Sequence, residues 1–399
     1  MSSQSLWHRR NHRAQQPALQ GKQHCDVVVI GAGMTGLAAA IALLDAGLSV
    51  AVVEARQVGA AATGRNVGFI LEGVAESYSR TIELWGRQRA RAARRFTVEN
   101  HACLAALIER FAVDCDYRRA GSLHLAATEA EDQELREGSA QLNEDGFAAE
   151  FIDHNGLPLW ARQTGYRSAQ MIPGDGELDP VAFVQGLADG LQSLGGQLFE
   201  GSPALALDAG EDEVVVRCAE GEIHALGAVL ASNAYGASLV PWLNGRLDPT
   251  RGQVLSTSRV ATRIFPRPIY ASHGFEYWRQ LPSGEIVMGG WRNLDADGEV
   301  GFEESLHPEI QDTMVRFLRG LHPELRDLEV RGRWSGIMGF SRDSLPIVGP
   351  QPGWPTIFLA VGFTGHGFGF SVKAGQMLAE LITTGESEHA SLFSPRRLS

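Results

Sequence analysis

Residues 26–54 constrain the fold most. Asp26-Val-Val-Val-Ile30 is a short β-branched run, the pattern of a strand buried on both faces of a parallel sheet. Gly31-Ala-Gly33-Met-Thr-Gly36 follows directly. Residues 37–46 then read as a helix closed by Gly47, and 48–53 as a second strand ending in Glu54. In such a unit the first glycine makes a tight turn, the second lets the backbone approach a pyrophosphate, and the third lets the helix lie close on the strand. Glu54 stands eighteen residues beyond Gly36, where a carboxylate can hold a ribose hydroxyl. A GxGxxG alone is weak; the strand before it, the helix after it and the acid at the second strand's end make it a dinucleotide-binding unit.

Two further segments bear on which dinucleotide. Gly59-Ala-Ala-Ala-Thr63-Gly64-Arg65-Asn66-Val67-Gly68 is a small-residue loop able to reach back over a pyrophosphate. More than three hundred residues after the first turn, Gly362-Phe-Thr364-Gly365-His366-Gly367-Phe368-Gly369-Phe370 precedes an apolar helical run over 372–382. A helix start favours negative charge, and a reduced flavin carries negative charge around N1 and C2=O. The bland alternative is a Gly-rich turn with no ligand. With the first turn and the second loop, the expectation is FAD in an extended form, touching all three segments.

A chain of 399 residues has room for two domains, and 44% hydrophobic with 21% charged residues is an ordinary globular composition. The net charge of −12 disfavours nucleic acid and anionic membranes as partners. Arg87, Arg89, Arg91, Arg94 and Arg95 cluster on a predicted helix over 81–111 and read as a solvated face with Glu83 and Glu99. Lys22 and Lys373 are the only lysines, which disfavours Schiff-base chemistry. Cys25, Cys103, Cys115 and Cys218 have no metal or CxxC spacing, and no metal site is expected; they read as reduced thiols of a cytoplasmic protein. No run is long enough to span a bilayer, and the polar, basic start lacks a signal-peptide core. Residues 1–21 read as a loose or surface-draped arm with Trp7 as its only anchor.

Further along, 121–127 reads as a strand, 129–143 as an amphipathic helix, and Asp179-Pro180 as the cap of a helix to 194. Strands are expected at 197–207, 214–219 and 228–232, a β-rich block over 251–291 with a turn at Pro282-Ser283-Gly284, and a helix over 307–318. The class is α/β with an α+β second domain: a Rossmann-like unit from 22–112, 174–243 and 333–390, interleaved with a mixed-sheet substrate domain from 113–173 and 244–332.

These motifs, together with Val52–Ala55, Thr63–Phe69, Leu230-Ala-Ser-Asn233-Ala-Tyr235, Trp334-Ser-Gly336 and Asp343-Ser-Leu-Pro346-Ile-Val-Gly349, resemble the D-amino-acid-oxidase superfamily of FAD-dependent oxidoreductases over nearly the whole chain. The Thr-Gly-Arg-Asn loop is most similar to the γ-glutamylputrescine oxidase group. The resemblance implies a glutathione-reductase-type FAD fold and oxidation of a C–N bond by hydride transfer to flavin N5. Departures narrow the substrate. Met338 stands where glycine-oxidase-like members carry a carboxylate-binding Arg, and Gly369 where sarcosine-oxidase-like members carry a Lys. A carboxylate buried without a cation is costly, so an amine is expected over an α-amino acid. No Cys lies near Gly336 and no His in 60–64, so FAD is expected to be non-covalent; Met288 falls where an oxygen-activating Lys is expected, which leaves dioxygen as acceptor open.

The residues expected at the cofactor are Gly31, Gly33, Met34, Thr35 and Gly36 from the first turn; Glu54, Ala55 and Arg56 after the second strand; Ala62, Thr63, Arg65, Asn66 and Val67 from the second loop; Ala204, Asn233 and Gly336 between; and Gly362, Thr364, Gly365, His366, Gly367 and Phe368 from the last turn. Catalytic candidates are His366, Tyr277, Arg279, Trp291 and Met338. An apolar pocket lowers an amine pKa by desolvation, and Phe275, Trp278, Phe340 and Phe363 are further candidates for its wall, or else core aromatics. Tyr277 and Arg279 share one strand face and Trp278 the other. Arg279 is a surface charge or faces an anionic end of the substrate. The competing readings are an amino-acid oxidase or dehydrogenase anchoring a carboxylate through Arg279 or Arg251, and a non-catalytic flavin subunit. The expected partners are a small amine and dioxygen or another acceptor, in a monomer or small oligomer.

Overall fold

The computed structural model describes residues 4–210 and 212–399. The valine-rich run is the inner part of the strand Gly21–Ile30, which pairs in parallel with Val50–Val53 on one side and Gly221–Leu230 on the other. Gln197–Phe199 and Trp354–Val361 extend this parallel sheet outward, and Ile347–Gln351 closes one edge antiparallel. The antiparallel strands Ala206–Ala209 and Val214–Arg217 complete the eight. Alternate residues face two cores. Val27, Val29, Val50 and Val52 pack under the helices Met34–Asp45, Pro180–Ser193 and Gly367–Thr384. Val28, Ile30, Ala51 and Val53 pack under Val214, Val216, Val240 and Leu243.

A second eight-stranded sheet runs in the order Val330–Ser341, Leu247–Arg259, Glu285–Gly290, Glu276–Gln280, Ile269–Ala271, Ser122–Ala126, Ser168–Ile172, Glu150–Ile152. It is antiparallel except where Ile269–Ala271 meets Ser122–Ala126 in parallel. Pro308–Leu321 buries Ile310, Met314 and Leu318 against one face, in a core with Trp278 and Met288. The other face carries Val254, Tyr277, Val287 and Trp334.

Several expectations change. Strand Val330–Ser341 belongs to the second sheet, so residues 333–341 lie there and not with the Rossmann-like unit. The helix read over 81–111 is two, Tyr78–Trp85 and Arg87–Arg110, because Gly86 takes φ 80° and ψ 152°, outside any helical region. Of the arginine cluster, Arg94 is buried on Glu72, its Nη2 2.9 Å from Oε2, while Arg91 and Arg95 are exposed. The strand read over 197–207 breaks after Phe199 and resumes at Ala206. Of the two readings of the N-terminal arm the structure has the draped one, and Trp7 is not its only anchor. Ser5 caps a short helix, Leu6–Arg10; Trp7 donates to the Asn66 carbonyl (2.7 Å); Asn11 donates to Asp179 (2.9 Å); Arg13 pairs with Asp189 (2.8 Å) and Glu200 (3.3 Å); and Leu19 is buried. Among the described residues no helix is long and apolar enough to cross a membrane.

Candidate active site

A cavity of about 630 Å³ opens at the carboxyl ends of Gly21–Ile30, Val50–Val53 and Gly221–Leu230 and runs beneath the second sheet. Its first end lies outside the carboxyl end of the central strand, between its two parallel neighbours, the crevice where open parallel sheets bind ligands. Gly31 takes φ 109°, and a Cβ there would meet the Ala231 carbonyl oxygen at 2.8 Å. Gly33 is the N-cap of Met34–Asp45 and provides no side-chain cap; in that first turn Met34 N–H donates to Thr63 Oγ1 of the second loop at 3.4 Å. Gly31, Gly33, Met34 and Thr35 line the cavity; Gly36 does not, because it faces back onto Gly31, whose carbonyl a Cβ at position 36 would strike.

Glu54, Ala55 and Arg56 line the same end with Ala204. The Glu54 carboxylate accepts from the N–H groups of Ala32 and Arg56, both at 2.9 Å, and burial raises its pKa. In the second loop Ala62, Thr63, Arg65, Asn66 and Val67 line the cavity, with Asn233 and Gly336 opposite. Asn66 holds its own loop, donating to the carbonyls of Ala62 (3.0 Å) and Thr63 (2.7 Å) and accepting from Gly68 N–H (2.6 Å). Arg65 donates to the carbonyls of Ala60 (3.0 Å) and Ser335 (2.7 Å) and pairs with Glu304 at 2.9 Å. The other Glu304 oxygen pairs with Arg56 at 2.8 Å, so one carboxylate from the second sheet's long loop joins two arginines of the first domain.

The far end is closed by the last Gly-rich turn. Gly362, Thr364 and Gly365 all have positive φ (74°, 48° and 77°). The helix begins at Gly367, five residues before the 372 expected, with His366 as an N-cap that makes no side-chain cap bond. Thr364, Gly365, His366, Gly367 and Phe368 line the cavity; Gly362 lies behind it, donating its N–H to Asn233 Oδ1 at 3.0 Å. A Cβ at Gly369 would strike the Leu71 carbonyl, so this packing leaves no room for a long side chain at that position.

His366 Nδ1 lies 3.2 Å from the Thr364 carbonyl, which can only accept, so Nδ1 carries the proton. Nε2 is then an acceptor, and the Tyr270 hydroxyl donates to it at 3.4 Å. Burial lowers the His366 pKa to about 4, leaving a neutral imidazole at ordinary pH. Tyr277, Met338, Phe340 and Phe363 line this end as well.

Two catalytic candidates lie elsewhere. Arg279 shares a strand face with Tyr277 but is neither exposed nor in the cavity: it is buried, donates to the Leu178 carbonyl (2.7 Å), pairs with Glu177 (3.4 Å) and stacks on Trp7 (4.9 Å). Trp291 turns into the second core against Phe317, ring centroids 4.9 Å apart, as Trp278 does at 5.5 Å. Met288 is buried in that core too. Arg251, the other proposed carboxylate anchor, is buried on Glu299, with Nη2 3.1 Å from Oε1. Sequence reasoning missed Tyr270, Arg292, Tyr235 and Glu304, all lining the cavity. Tyr270 sits in a three-residue strand too short to show alternation, and Arg292 and Glu304 lie in a loop without a motif.

The donor set fits an extended dinucleotide such as FAD: a carboxylate at one end, a helix start without a side-chain cap beside it, and a second such helix start at the other end of the same cavity. The family model described as FAD dependent oxidoreductase (DAO) matches residues 26–381. The chain is 28% identical over 383 residues to gamma-glutamylputrescine oxidoreductase of Escherichia coli, covering 93% of this chain and 86% of that protein. It is 26% identical over 369 residues to glycine oxidase of Bacillus licheniformis, covering 90% and 94%. Among solved structures, glycine oxidase from Geobacillus kaustophilus matches with a TM-score of 0.80 at 21% identity, over 93% of this chain and 98% of that one.

Proposed function

The chain belongs to the FAD dependent oxidoreductase family and acts on amines or amino acids, and on that premise we propose that it oxidises the C–N bond of a primary or secondary amine, polyamine derivatives included, with FAD held non-covalently. The observation that carries this reading is the buried, aromatic far end of the cavity, where a neutral His366 accepts from Tyr270 beside the start of Gly367–Thr384. An amine must be neutral to give up a hydride, and Tyr270, Tyr277, Phe340 and Phe363 exclude the water that stabilises its ammonium form. Bound FAD supplies the hydride acceptor. The start of Gly367–Thr384 favours the negative charge that reduction creates, with no lysine or protonated histidine needed. The imine product is hydrolysed in water, and with dioxygen as electron acceptor the second product is hydrogen peroxide. Non-covalent attachment is supported by the four cysteines, none of which lines the cavity, and their free state suits a reducing, cytoplasmic compartment.

Anaerobic addition of an amine panel to the holoenzyme should bleach the flavin absorbance. Peroxide detection with and without an artificial acceptor then separates dioxygen from other acceptors. Bleaching by no amine and no amino acid overturns the reading.

A further inference from the structure

We propose that the N-terminal arm is a cofactor latch: by holding the loop 58–68 in the shape that lines the cavity, it sets how tightly FAD is kept. The family model begins at residue 26, so the arm lies outside what that model matches, and no described arm residue lines the cavity. Its reach is through the loop. Ala61, Ala62, Thr63, Arg65, Asn66 and Val67 line the cofactor end, and the stretch 59–64 has no large side chain with which to pack itself. Such a loop lets a ligand approach closely, but ordering it on binding costs affinity unless it is ordered beforehand.

The arm grips the loop at three points. At the loop's start, one oxygen of the buried Glu200 carboxylate accepts from Val58 N–H (2.7 Å), while the other accepts from Gln16 N–H (2.6 Å) and from Arg13 (3.3 Å). In its middle, His8 lies on Gly64, where a Cβ would meet His8 Cε1 at 2.5 Å. At its end, Trp7 donates to the Asn66 carbonyl and is buried with Val67, Phe69 and Val254, which also line the cavity. One layer of side chains thus separates the arm from the cofactor end. Arg9 and Arg10 fasten the same short helix to the second sheet, at the Arg331 carbonyl (3.0 Å) and at Glu285 (2.9 Å). The loop is held from outside by both domains, and it opens to release the cofactor only when the arm lifts. Coupling of this kind is reciprocal: whatever factor the closed arm adds to FAD affinity, bound FAD returns to arm closure.

Two measurements on the full chain test this. Trypsin should cut after Arg9, Arg10 and Arg13 about tenfold faster in the apoprotein than in the FAD-saturated protein, measured against cleavage in the rest of the chain. The FAD dissociation constant, read by flavin fluorescence, should rise about tenfold in Trp7→Phe, which keeps an aromatic ring but loses the donor to Asn66, and on the order of 100-fold in Trp7→Ala. Leu318→Ala lies in the second core, which holds no arm residue, and sets what lost stability alone does. It should lower the melting temperature and leave the dissociation constant within about twofold of the wild type. If Trp7→Ala does not fold, Trp7→Phe and the trypsin measurement decide. Arm cleavage at the same rate with and without FAD overturns the proposal. So do arm variants that shift the dissociation constant no more than Leu318→Ala does, which would leave the arm a structural brace.

Discussion

At the residue scale the decisive pair is His366 and Tyr270. Burial lowers the imidazole to about 4 and raises the phenol, so neither changes charge across the neutral range. An ascending limb of kcat/KM with pH therefore reports the substrate's own ammonium group. Amines of graded basicity should each shift the limb with their own pKa; a limb at one fixed pH for every amine would return the titration to the protein. Tyr270→Phe removes the hydroxyl that donates to His366 Nε2 and leaves a buried acceptor without a partner. The expected loss is about 1–2 kcal/mol, roughly tenfold in kcat/KM. Tyr277→Phe removes a hydroxyl with no such partner, and it should change kcat/KM less than Tyr270→Phe does in the same assay.

The helix Gly367–Thr384 shows at the scale of elements what a sequence can and cannot disclose. The Gly-rich run marked its start, and the apolar run marked its body. The five-residue error came from treating Gly367 and Gly369 as turn residues, since glycine disfavours helix interiors. What holds them helical comes from far away in the chain: Asn100, buried on Arg87–Arg110, donates to the Phe368 carbonyl (2.8 Å) and accepts from the N–H groups of Val372 and Lys373, both at 3.0 Å. No local pattern carries such a contact. By contrast the strand Glu276–Gln280 was legible face by face, because alternation is a local rule; where along that face the cavity stops was not, because Trp7 arrives from the other end of the sequence to cover Arg279. Asn100→Ala removes all three bonds inside a closed core and should cost about 2–3 kcal/mol. It should also loosen the helix start that faces the cavity, so a higher FAD dissociation constant, read by flavin fluorescence, should accompany the lower melting temperature. A lower melting temperature with unchanged FAD affinity would confine Asn100 to a structural role.

The molecule as a whole is held by joints between its two sheets, and its interior also holds histidines that must stay neutral. Arg65 reaches the Ser335 carbonyl and Glu304, Trp334 donates to the Arg65 carbonyl at 2.8 Å, and the arm places His8 under the second loop. Burial lowers His8, His101 and His366 to about 4 each. The sign follows from linkage. Above about pH 6.5 both folded and unfolded histidines are neutral; as pH falls below that value the unfolded chain takes up protons that the folded one refuses until about 4. Stability is therefore lost on acidification, by about 2 kcal/mol per buried histidine at about pH 5. Burial raises the carboxyls of Glu54, Glu72, Asp179 and Glu276, which bind protons more readily when folded and so work in the opposite direction. His101 isolates the histidine contribution, because it is buried outside the cavity. Urea unfolding of the holoprotein at about pH 7 and about pH 5 should show that His101→Leu loses about 2 kcal/mol less than the wild type over that interval. Equal losses in the two proteins would mean that the imidazole is protonated in the folded state at about pH 5.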